Sequence, residues 1–134
     1  MKDESCMKPS TREWIKKAES DYLAAQALSR RRKTPFHDEV CFHFQQCAEK
    51  YLKARLEEAG IASPKTHDLI RLLNLALAVE PLWSALRHAV ASLSVYAVEF
   101  RYPGNEATAQ NALDAKLHAK AVRKEARLAL GLKA

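Results

Sequence analysis

Apolar residues recur along this chain at spacings of three and four, the period of an α-helix. Wound at about 100° per residue, the stretch 36–59 gathers Val40, Phe44, Cys47, Ala48, Tyr51 and Leu52 on one broad face. Gln46, Glu49, Lys50 and Lys53 gather opposite, with His43 at their edge and Phe42 among them. An aromatic ring inside a Gln/Glu/Lys face implies that something covers it: another helix, a ligand or a second subunit.

The same periodicity predicts four further helices. Ile15, Ala18, Tyr22, Ala25 and Leu28 mark one over about 11–31, opened by a Ser10–Glu13 capping box. Thr34 as N-cap and Pro35 in the first turn open the second, and Gly60 stops it. Ser63-Pro64 resists helix. Thr66 then caps a third, with Leu69, Leu72, Leu73, Ala76 and Leu77 as its stripe. Pro81 breaks the pattern or begins the fourth, whose inward set is Leu82, Ala85, Leu86, Ala89, Val90 and Leu93. The stretch 96–103 is less regular, and Pro103-Gly104 is a break. Asn105 caps the last helix, with Glu106 in its first turn and Gly131 as its stop. Its apolar seam of Ala112, Ala115, Ala119, Val122, Ala126 and Leu130 is narrow enough for close helix approach. No strand alternation or hairpin dipeptide competes. The expected fold is all-α, an up-and-down antiparallel bundle of about five helices. Residues 1–9 form a flexible lead-in and 10–134 a single domain.

Composition narrows the function classes. The 134 residues are 48% hydrophobic with three glycines, which suits a packed helical core. A net charge of +6 permits nucleotide, nucleic-acid or acidic partners and demands none. Cys6, Cys41 and Cys47 are odd in number and have no CxxC spacing, so free thiols and a cytoplasmic location are expected, Cys41 and Cys47 as buried apolar residues. No apolar run approaches the ~18 residues of a membrane span. The five histidines form no HExxH and no zinc-finger set, and there is no phosphate-cradling glycine loop or GxSxG elbow. No metal and no cofactor are expected.

The segment Phe44-Gln45-Gln46-Cys47-Ala48-Glu49-Lys50-Tyr51-Leu52-Lys53-Ala54, followed by Gly60 and Thr66-His67-Asp68-Leu69 with Leu72 and Leu73, resembles the HEPN (higher-eukaryote and prokaryote nucleotide-binding) domain family. The Q-x-x-E-K-x-L-K-A and H-D-L segments are specific in combination, and with the flanking helices the resemblance covers residues 10–131. It implies a small helical bundle that is commonly a homodimer. Many members are encoded beside a small prokaryotic nucleotidyltransferase, and some are RNA-cutting toxins of toxin–antitoxin pairs.

Candidate chemistry follows the same segments. His67-Asp68 opens a helix, where free backbone N–H groups attract anions; the bland alternative is that His67 braces the loop and Asp68 stabilises the helix start. Glu49 and Lys53 are four apart, so they form either a surface ion pair or, with Gln46, a polar cleft in which Lys53 meets phosphate and Gln46 a base or sugar. Lys53 lies nearly two turns before Gly60, so joining His67 requires an inward tilt or a dimer mate. Arg101 offers a phosphate fork and Tyr102 a stacking face, or the first pairs with Glu99 and the second packs on the bundle. The run Arg30-Arg31-Arg32-Lys33 is either a solvated helix cap or an anion or RNA contact. The nuclease branch of the family carries an arginine followed four to six residues on by a histidine. Arg101 stands at that arginine's position, but 102–107 contains no histidine; Arg32 and His37 match the spacing ahead of the wrong helix.

The leading expectation is therefore a non-catalytic dimeric module binding a nucleotide or RNA phosphate through His67, Asp68, Arg101, Tyr102, Lys53, Glu49 and Gln46, acting with a small nucleotidyltransferase. Phe42 and the small-residue seam are the expected dimer contacts. A metal-independent ribonuclease toxin and a purely structural dimerisation protein are the alternatives.

Overall fold

A computed structural model describes residues 6–100 and 102–134. These residues form five α-helices and no strand: α1 (Pro9–Ser29), α2 (His37–Glu58), α3 (Leu69–Ala76), α4 (Arg87–Glu99) and α5 (Ala109–Ala129), with a tight 3-10 segment Pro81–Leu86 leading into α4. The all-α bundle expected from periodicity is the fold observed.

α2 is the central helix, packed by all four others. Its expected core face, Val40, Phe44, Cys47, Ala48, Tyr51 and Leu52, is buried, and so are Cys41, Leu56 and the polar Gln45, Glu49 and Lys53. With neighbours on nearly every side, the polar face drawn opposite the core is largely covered. Lys8, Ser10 and Thr11 meet Glu57 and Glu58, while Tyr22 packs edge-on to Phe44, so α1 and α2 run antiparallel. Asp38 reaches Ala107 and Tyr51 reaches Arg127, so α5 runs parallel to α2. Small side chains make that approach possible: Ala112, Ala115, Ala119, Val122 and Ala126 join the core around α2. The small-residue seam is therefore used within one chain and supplies no dimer contact.

Several helix ends differ from the sequence reading. α1 begins at Pro9, and Ser10 Oγ donates to Glu57 Oε1 rather than capping its own helix. Met7 is buried against Ala54 and Leu130. α2 begins at His37, because Thr34 adopts φ 52°, a conformation that cannot start a helix. Asp68, not Thr66, caps α3, and Thr108 with Asn111 forms the capping box of α5 in place of Asn105. Pro81–Leu86 winds with three residues per turn. That period turns Trp83 and Leu86 inward and leaves Leu82 86% exposed, correcting the 3.6-period stripe. α4 also continues to Glu99 through the stretch that looked irregular.

The glycine stops are as expected. Gly60 has φ 74°, and the N–H groups of Gly60 and Ile61 donate to the carbonyls of Glu57 and Leu56, a pattern repeated at Gly131 and Leu132. Beyond Gly60 the chain runs back along α2, and α3 starts level with the middle of that helix. This return is what positions the site.

Candidate functional site

Glu49 lies on α2, nine residues before its last residue Glu58. Its carboxylate is 2% exposed. Oε1 lies 2.9 Å from Nδ1 of His67, and Oε2 accepts from Nζ of Lys53 at 3.3 Å. The loop's return along α2 brings His67 to Glu49, so neither helix tilt nor a second subunit is required to unite them. Lys53 is 8% exposed, and its ammonium sits 5.4 Å from the centre of the Trp14 ring on α1. The Glu49–Lys53 pair is thus buried rather than a surface pair.

His67 has the opposite exposure: its side chain is 68% accessible. An ionised carboxylate only accepts, so Nδ1 carries the proton shared with Glu49 and Nε2 is left for solvent or ligand. Beside it is a cleft of about 420 Å³, lined by His67, Asp68, Ser94, Ala97 and Val98. That volume suits a small ligand. One wall is the entry to α3 and the other is the outer side of α4.

The start of α3 does not itself offer free donors. Asp68 Oδ1 accepts from the N–H groups of Ile70 and Arg71, Leu69 N–H donates to Ser94 Oγ, and Thr66 Oγ1 accepts from Asp68 N–H. Asp68 shapes the cleft as a helix cap. Gln46 is half-buried and donates from Nε2 to Gln45 Oε1 at 2.8 Å. Tyr102 is exposed. Arg101 lies outside the described residues, following Phe100 at the end of α4.

Phe42 is 40% exposed and lines a shallow groove with Asp38, Glu39, Tyr96, Ala97 and Phe100. Tyr96 stacks on Phe100 with centroids 5.5 Å apart. This groove and the His67 cleft share Ala97, so both lie along the last turns of α4.

Two further carboxylate clusters were not anticipated from the sequence. Asp21 on α1 meets His43 Nδ1 at 2.8 Å and accepts from Lys50 Nζ. Glu19, also on α1, accepts from Arg123 Nε and a terminal nitrogen at 2.8 and 2.7 Å, and from the hydroxyl of buried Tyr51. Burial alone would raise Glu19, but the Arg123 and Tyr51 hydrogen bonds outweigh it and hold its carboxyl below the ordinary range. Burial pushes the Cys41 thiol up to about 12, as suits an inert core residue. Among the described residues no group of three or more His, Cys, Asp and Glu side chains is placed to hold a metal ion. No helix among them is long and apolar enough to cross a membrane.

Trp14 and Ser94 are the site neighbours that sequence reasoning missed. Neither residue belongs to a motif in the sequence. Against known proteins, a model of the HEPN domain family matches residues 11–128. No curated protein and no solved structure matches.

Proposed function

The chain belongs to the HEPN domain family, and on that premise we propose that it is a dimeric binding module for a nucleotide or an RNA phosphate, working with a small nucleotidyltransferase. The family itself supports a nucleotide- or RNA-related role. The observation that carries the finer reading is the Glu49–His67 pair: an exposed imidazole held by a buried carboxylate at the mouth of a cleft. Such a ring is preorganised, so a ligand binding at Nε2 loses little side-chain freedom. His67 contacts the phosphate, Glu49 orients the ring, and Lys53 offsets the charge of Glu49. Arg101, which lies outside the described residues, is the second cation of this reading on the strength of its place in the sequence alone. Gln46 and Tyr102 serve the base or sugar.

The dimer uses the groove at Phe42, where Tyr96 and Phe100 extend the apolar surface. Light scattering of the wild type gives a dimer, and Phe42→Glu weakens it by burying an unpaired charge. An unchanged dimer moves the interface elsewhere.

The same imidazole favours a second reading, metal-independent RNA cleavage, since an oriented histidine is what general acid–base catalysis needs. Incubation with total RNA and chelator separates the two. No cleavage is expected; cleavage lost in Arg101→Ala and in His67→Ala makes the protein an enzyme. Calorimetry with ATP on wild type and His67→Ala tests the binding reading, with heat expected for the wild type alone. Absence of any nucleotide or RNA binding leaves a structural dimerisation protein.

A further inference from the structure

We infer a second ligand surface, distinct from the His67 cleft, that binds the phosphodiester backbone of a single-stranded nucleic acid at the junction of α1 and α5. A cleft of about 250 Å³ there is lined by Ser29, His37, Ala109, Ala112, Leu113 and Lys116. Ser29 ends α1, so Arg30, Arg31, Arg32 and Lys33 leave directly from its rim, all four exposed. Arg31 is fixed over the Phe36 ring at 5.1 Å. On the other side Lys116 leads a row with Lys120 and Lys124, spaced four residues apart on α5 and hence about 6 Å along its axis.

None of these seven cations pairs with a carboxylate of the described residues. The C-terminus of α1 presents roughly half a negative charge, and four cations exceed what it can use. The cations that pack between the helices, Lys50, Lys53, Arg55, Arg123 and Arg127, each have a carboxylate partner. Asp38, next to His37 in the chain, accepts from the Ala107 N–H, Asp114 accepts from Gln110 Nε2, and the first turn of α5 holds no acid. The lysine row follows a single helix, which fits one backbone rather than the two of a duplex. Leu113 and Leu117 stand exposed beside the lysines, where bases can rest on them.

The inference does not depend on the His67 reading. Fluorescence anisotropy with a labelled 20-nucleotide poly(U) strand tests it. With about four phosphates engaged, the logarithm of affinity falls with that of salt at a slope of about −3, so raising salt fourfold lowers affinity about 50-fold. The triple variant Arg30→Glu, Arg32→Glu, Lys33→Glu lies in an exposed loop and leaves the fold intact. It is expected to bind poly(U) at least tenfold more weakly while ATP binding stays as in the wild type. His67→Ala shows the reverse. Wild-type affinity for poly(U) in the triple variant, no poly(U) binding by the wild type at low salt, or loss of poly(U) binding in His67→Ala overturns the inference. So does binding of phosphatidylserine vesicles through Lys116, Lys120 and Lys124 without poly(U) binding, which makes the surface a membrane contact.

Discussion

Glu19 on α1 and Glu49 on α2 each gather two basic side chains. At Glu19 both cations are arginines of α5, and a buried tyrosine hydroxyl completes the set. Every member belongs to a long helix, and Arg123 also lies over the Tyr22 ring at 4.4 Å. The cluster is closed: its groups bond to one another and to nearby backbone, and it ties α1, α2 and α5 together. At Glu49 the carboxylate is more deeply buried, yet one of its partners is a loop histidine that faces solvent. This cluster is open. Its interior half fixes geometry, and its exterior half has a nitrogen with no partner among the described residues. The same charges make a clamp where all the groups turn inward and a candidate site where one turns outward.

That contrast is broken most forcefully at Glu19. Glu19→Ala strands Arg123 and leaves the Tyr51 hydroxyl proton without its acceptor, and is expected to cost about 3 kcal/mol in urea unfolding, the low end for a buried pair because these groups are partly solvated. Nucleotide binding should be unchanged while the variant is folded. Glu49→Ala is expected to cost somewhat less, about 2 kcal/mol, for leaving buried Lys53 unpaired, and also to abolish ATP binding because His67 loses its brace. A variant that kept full ATP affinity would detach Glu49 from the site.

Acid sharpens the comparison. The Glu19 carboxyl is held below its ordinary 4.5 in the folded state. Its stabilisation is therefore fully present above that value and is lost as pH falls through the lower, folded one. Unfolding measured from pH 7 to pH 3 should show an acid limb that shrinks in Glu19→Gln; an identical limb in both proteins assigns it to other carboxylates. The smallest expected effect on stability is that of His67→Ala, within about 0.5 kcal/mol of the wild type. A loss several times larger would make His67 part of the clamp class.

The closed half of the molecule was partly legible in the sequence and the open half less so. Spacing placed the α2 core residues and the α5 seam, and Gly60 and Gly131 marked their stops, because burial and positive φ leave local signatures. N-caps were displaced by two or three residues at α3 and α5, where Thr66 and Asn105 offered the same chemistry as Asp68 and Thr108. Pro81–Leu86 misled because a three-residue period and a 3.6-residue period diverge within one turn. Glu49 and Lys53 stayed open between a surface pair and a polar cleft because a helical wheel carries no count of neighbours, and α2 has four. His67 and Glu49 were each singled out, but their pairing was not: the path of the loop after Gly60 is a tertiary fact with no periodicity to announce it.

His43 provides an internal reference for the central claim, since its Nδ1 is likewise held by a carboxylate but its ring is far less exposed than that of His67. The direct measurement is the NMR spectrum of the imidazole nitrogens in the intact protein during titration with ATP. The expected result is that the Nε2 signal of His67 moves in step with ligand while that of His43 stays in place. A stationary His67, or a shift confined to His43, would contradict the assignment of the open cluster as the ligand site.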